Sequence, residues 1–291
     1  MPNMTIEERV AKLERIENKL IAAYVADSIK RGAEDYAQMY RKFPKLFKQL
    51  VKCEINTYRA MNKYFREFAE RAADNINWHE FDRNTASAPS GATMKASILD
   101  YLVKAFWENE TLVLKIYLTK ALVDSVEAGG LYTEQDLKID VGWSRNAVPA
   151  VEFLNNYSLD LAKGLTETSK KRVLSALSTS IDNHENRDSA IERINAVVKD
   201  RVRATAIAQT ESVRAFSAAR MEVGKQIGAD RKRWRTAGGA KTCLTCVGLE
   251  RLDVVKYDYQ YTNADGDKIS EAPAHVNCRC GIEIFMPDEK V

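Results

Sequence analysis

Four of the chain's five cysteines and one of its three histidines lie between Cys243 and Cys280. The order is Cys243-Leu-Thr-Cys246, then 28 residues, then His275-Val-Asn-Cys278-Arg-Cys280. A C-x-x-C turn presents two thiolates to one ion, and an H-x-x-C turn adds an imidazole and a third thiolate. Together they supply a tetrahedral Cys3His donor set, the chemistry of a structural zinc. Cys278 and Cys280 are two apart, so on a strand they point the same way with Arg279 opposite. Either can be the fourth ligand. Free buried cysteines or a labile disulfide would also account for a cluster. A redox C-x-x-C usually follows a strand in a thioredoxin-like βαβ unit, and no such pattern is present.

The rest of the chain sets this cluster in a helical context. At 291 residues there is room for one large domain or two ordinary ones. Forty-five per cent apolar and 29% charged residues suffice for a packed core. The N-terminus carries Glu7 and Glu8 with no apolar stretch behind a basic start, unlike a signal peptide. No segment approaches the ~20 apolar residues that span a bilayer. These features predict a soluble protein made in a cytoplasm.

Thr5 and Glu8 form a capping-box signature, and Ile6, Val10, Leu13, Leu20 and Tyr24 continue an apolar stripe to about Ile29. Beyond Pro44, Leu46 to Phe68 recur at helical spacing, with Cys53 among them as a small buried hydrophobe. Residues 74–93 are polar and turn-rich, which predicts a loop. A third helix is expected from about Lys95 to Glu127, ended by Gly129-Gly130. Asp140 to Trp143 and Pro149 read as a connector, placing a domain boundary near 145. Helices are expected again from Val151, from Ser189 to Val198, and from Arg201 to Ile227. The last should bury one face: Val202, Ala206, Val213, Phe216, Val223 and Ile227. Past Gly228 the elements shorten. Strands are expected at 231–235, 252–255 and 281–286, with a hairpin connection at 263–266. The expected fold is mainly α with a small α+β C-terminal module: a helical domain over 1–145, then a domain over 146–291 with the Cys/His module at 231–287.

One stretch carries a resemblance. Arg203-Ala-Thr-Ala-Ile207-Ala208-Gln209-Thr210-Glu211 is followed by Ala215 and Ala218, then Lys232-Arg-Trp234, the Cys243/Cys246 pair, Gly248-Leu249, and Pro273-Ala-His275-Val-Asn277-Cys278-Arg279-Cys280. This resembles the phage head morphogenesis family, the Mu F-like minor head proteins, across about the last hundred residues. Gln209, Val276 and Lys241 depart from the family pattern, while the Cys/His order is kept. The resemblance implies a Mu F-like domain of short strands around the Cys/His site. It also implies a minor structural protein of the virion, inside a tailed-phage head, made in the bacterial host cytoplasm. Its implied partners are the portal protein and the major capsid or scaffold proteins, without a small-molecule substrate, a membrane or catalysis. Thr210 and Glu211 match the helix motif. Their expected role is structural, bonding to the Trp234 strand or to the backbone of the metal site.

Between Ile191 and Arg235 stand eleven cationic and five acidic side chains. Such a patch can contact the phosphates of packaged DNA without reading sequence, through Arg201, Arg203, Arg214, Lys232, Arg233 and Arg235; the bland reading is a solvated helix face. Two other functions stay open. A C-x-x-C pair with a downstream His and Asn is superficially similar to a metal-dependent nuclease of the HNH kind, although no second histidine lies near. A zinc-containing DNA-binding protein is the other, without a recognition helix at finger spacing. P-loop, dinucleotide-binding and common hydrolase motifs are absent from the sequence.

Overall fold

The computed structural model describes residues 19, 21–23, 44–87, 102–236, 238 and 242–289. Of the helix expected over 5–29, residues 19 and 21–23 are described and helical; the rest lies outside the described residues. The described chain is mainly helical, with short antiparallel strands near its C-terminus. In order the elements are α1 (Pro44–Asn75), α2 (Trp78–Ser87), α3 (Lys104–Leu137), α4 (Val148–Asp182), α5 (Arg187–Val198), α6 (Arg201–Gln226), β1 (Arg231–Arg235), α7 (Leu244–Glu250), β2 (Val254–Lys256), β3 (Tyr261–Thr262), β4 (Lys268–Ile269) and β5 (Gly281–Phe285).

Two compact units emerge, each built from separate stretches of chain. One comprises Met1–Tyr58, Leu122–Ala150 and Thr205–Val291; the other comprises Arg59–Ala121 and Val151–Ala204.

The second unit has an aromatic core. Tyr64, Phe65, Phe68, Phe106 and Trp107 are all buried, and Phe68 lies against both Phe106 and Trp107. Inside it the buried Glu110 accepts from Arg71 Nε at 2.6 Å and from Tyr64 Oη at 3.3 Å. That satisfies a carboxylate that burial would otherwise penalise. The expected loop at 74–93 is corrected here: residues 78–87 form α2. Asn77 caps it, its Oδ1 accepting from Glu80 N at 3.2 Å, and Phe81 is fully buried. A polar composition with one buried aromatic hid a short amphipathic helix. Residues 88–93 lie outside the described residues.

Gly129-Gly130 does not end a helix either; α3 runs through both to Leu137. The glycines serve close packing. A Cβ at 129 would overlap the Phe216 carbonyl, and one at 130 would overlap the Trp143 ring. Glu134 Oε1 accepts from Val141 N and Trp143 N, both at 2.9 Å, which folds the connector back onto α3. Pro149 stands in the first turn of α4, where its missing N–H costs nothing.

The first unit surrounds α6. The expectation of one buried face is too narrow. Val202, at the helix start, is exposed, while from Thr205 onward burial extends round most of the circumference and takes in Gln209, Thr210, Glu211, Ser212, Ser217 and Arg220. A central helix reads as polar because its polar side chains bond within the fold: Thr57 Oγ1 and Ser212 Oγ are 3.0 Å apart. The sheet order is β2-β1-β5, all antiparallel, with Trp234 opposite Ile282 and Arg233 opposite Glu283. Alternation sends Lys232, Trp234, Ile282 and Ile284 into the core with Val213 and Phe216. The expected hairpin at 263–266 joins β3 to β4.

Candidate metal centre

Two turns bring the donors together. In the first, Cys243 caps α7: its Sγ accepts from Cys246 N at 3.3 Å, so the C-x-x-C spacing directs both sulfurs to one side. In the second, Asn277 adopts a left-handed conformation (φ 63°), which reverses the chain between His275 and Cys278. Asparagine tolerates that region better than most residues. His275 Nε2 lies 3.2 Å from Cys243 Sγ and 3.3 Å from Cys246 Sγ. Cys246 Sγ lies 3.8 Å from Cys278 Sγ. The donors form two overlapping triads, Cys243–Cys246–His275 and Cys246–Cys278–Cys280, which share Cys246.

The donor set fits zinc. Tetrahedral coordination at Zn–S ≈ 2.3 Å puts sulfurs about 3.8 Å apart, and imidazole nitrogen slightly nearer. His275 Nδ1 lies 2.8 Å from the Val276 carbonyl oxygen. A proton on Nδ1 bonds that carbonyl and leaves Nε2, the atom facing the thiols, as the ligand atom. Cys246, Cys278 and Cys280 are buried, whereas Cys243 and His275 are partly accessible. The Cys278 thiol is held far below its ordinary value, first by hydrogen bonding from Cys246 and then from Cys280. The same contact with Cys278 drives Cys246 the other way. Cys280 is pulled down by Cys246 but pushed up more by Cys278 and by burial. Burial raises Cys243, yet the Cys246 backbone N–H and His275 outweigh it and lower it. His275 is pushed up to about 9, chiefly by its hydrogen bond with Cys278. Thiols and an imidazole brought this close together are groups that could hold one metal ion, which would displace their protons.

The ligand segment is tethered from outside. Asn277 N donates to Thr210 Oγ1 at 2.9 Å, joining the central helix to the His275–Cys278 turn. Glu211 is buried and lies 3.4 Å from Arg214 Nε. Trp234 is fully buried under the sheet and meets Tyr261 edge-on, ring centroids 5.2 Å apart. Arg279, between two cysteines, pairs with Glu54 of α1. Nothing in the local sequence around 54 signalled that contact; an acidic residue inside the apolar run from Leu46 to Phe68 was the one available hint.

The cationic residues are divided between the two units. Arg201 and Arg203 fall in one unit, and Arg214, Lys232, Arg233 and Arg235 in the other. Arg203 is buried, donating to Ser169 Oγ and the Leu165 carbonyl with its guanidinium over Phe65. Lys232 is fully buried and donates to the Ser270 carbonyl at 2.7 Å. Both side chains are thus engaged within the fold rather than presented to solvent. Arg233 and Arg235 share Glu283, and Arg233 also reaches Asp253. His79 and His184 lie in the second unit, His184 against the Thr85 carbonyl, so His275 is the histidine of the cluster among the described residues.

The Cys/His cluster, closed by short strands and a central helix, is a group of side chains that could hold a metal ion. Residues 171–283 match the family described as Phage Mu protein F like protein. No curated protein and no solved structure matches the chain. No helix among the described residues is long and apolar enough to cross a membrane.

Proposed function

We propose that this protein is a minor structural component of a tailed-phage head. It acts in head assembly through contacts with the portal and the capsid interior, and its Cys/His cluster holds one structural zinc. The Mu F-like match over 171–283 carries the reading, because the whole Cys/His cluster falls inside it. The cluster supports a structural metal over a catalytic one. Three sulfurs and one imidazole fill a zinc's coordination and leave no open position for water.

Protein contacts take precedence over DNA in this reading. Of the six cations singled out above, two are buried and Arg233 and Arg235 are matched by carboxylates. Quantitative mass spectrometry of purified, DNA-filled particles tests the role. A few copies per particle, in proportion to the portal, is the expected result. Absence from particles, with abundant protein in the lysate, would rule the role out.

A further inference from the structure

The segment from His275 to Cys280 alternates its duties. Residues 275, 278 and 280 face the cluster, while 277 and 279 are held from outside by Thr210 and Glu54. Glu54 and Arg279 are almost wholly buried, at 1% and 2% side-chain exposure. Arg279 Nε lies 3.3 Å from Oε1 and Nη2 lies 3.5 Å from Oε2, a two-point contact that fixes the guanidinium plane. Because Arg279 joins Cys278 to Cys280 directly, fixing its side chain fixes the direction in which both sulfurs point.

The carboxylate comes from α1, far away in sequence. Its leading stretch is otherwise attached by an Asn56 Nδ2 bond to Asp124 at 2.9 Å, by the Thr57–Ser212 contact, and by apolar packing of Leu50, Val51 and Ile55. These bonds lie within two or three residues of Glu54, so the pair sits in a bonded and packed stretch of α1.

We infer that Glu54 is a positioning residue for the metal centre, orienting Cys278 and Cys280 through Arg279, so that metal binding and the seating of α1 strengthen one another. This rests on the zinc reading above. Groups that orient ligands from outside typically change metal affinity 10–100-fold when removed. By linkage, the metal must stabilise the seated helix by the same factor.

The test uses the full chain. Glu54→Gln removes the charge. The double substitution Glu54→Leu with Arg279→Met replaces the pair by apolar groups and guards against simple misfolding. Zinc affinity is measured by chelator competition, ligand geometry by the visible spectrum of the cobalt(II)-loaded protein, and seating of residues 44–58 by hydrogen exchange with and without zinc. The expected result for the double variant is a folded protein with at least tenfold weaker zinc binding and an altered cobalt spectrum. Zinc should protect residues 44–58 in the wild type and lose that effect in the variant. A double variant with wild-type affinity, spectrum and zinc-dependent protection would overturn the inference and leave the zinc reading intact. A wild-type protein that takes up neither zinc nor cobalt would overturn both.

Discussion

Glu54 and Arg279 meet inside the protein although 225 positions separate them along the chain. Burial pushes the Glu54 carboxyl well above its ordinary value, and the Arg279 guanidinium is the cation placed against it. Removing one partner strands the other. Glu54→Ala should therefore cost about 3–5 kcal/mol, whereas the paired apolar replacement should be near neutral. Urea unfolding of both variants at neutral pH measures the contrast, and equal losses would contradict it.

Metal analysis of single cysteine variants should separate ligands from packing residues. Cys243→Ser and Cys246→Ser are expected to lose the zinc and to melt well below the wild type, since Cys246 belongs to both triads. Of Cys278→Ser and Cys280→Ser, one should lose metal and the other keep it, which identifies the fourth ligand. Wild-type melting and metal content in both Cys243→Ser and Cys246→Ser would show that no zinc is bound there.

Thr210 supplies one acceptor to a turn that has little else to hold it. Thr210→Val keeps the shape and strands the Asn277 N–H, at a cost of about 1–3 kcal/mol. Asn277→Gly, by contrast, should be tolerated at the positive φ. Thermal melts of the two variants compare them, and a harmless Thr210→Val would mean that water takes over the bond.

Lys232 is buried between the rings of Tyr261 and Tyr257, its Nζ 5.3 and 5.9 Å from their centroids. Burial lowers its pKa from 10.5 to about 8, against the opposing pull of Glu271 and Asp258. The unfolded chain therefore binds more protons between pH 8 and 10.5. This group's contribution to stability rises with pH across that window and is constant below it. The amplitude is about 2–3 kcal/mol. Lys232→Met should remove the rise, so the stability difference between variant and wild type should shrink from pH 7.5 to pH 10. A difference independent of pH would show that the ammonium is not strained.

The glycines offer a paired test. Gly130→Ala should destabilise by roughly 1–3 kcal/mol, because the Trp143 ring occupies the space. Gly164→Ala, in open space on α4, should stabilise by about 0.5–1 kcal/mol. Melting temperatures moving in the same direction would refute this account of Gly130.

The comparison also shows what a sequence discloses. Strands β1 and β5 and helices α5 and α6 were legible because their signals are local: the helical spacing of Val213, Phe216 and Val223, and the change of character after Gly228. Gly129-Gly130 misled because its cause is a neighbour, Phe216, that periodicity cannot supply. The same holds for α2, whose burial depends on Phe81 finding a core. At the cluster, spacing disclosed the donors but not their tethers. Thr210 was visible through the family motif, while Glu54 answers to a residue 225 positions away. Charge counting did not disclose that Lys232 and Arg203 are buried, because a composition has no inside.

The alternating duties of the His275–Cys280 segment make it a reading frame. Deleting a residue from Cys278–Cys280 would take either a thiol out of the cluster or Arg279 away from Glu54. Val276 is the letter left over: it is 65% exposed and belongs to neither set. The segment is thus rigid in length and permissive at one position, and a length change should be lethal to the fold where a change at 276 passes unnoticed.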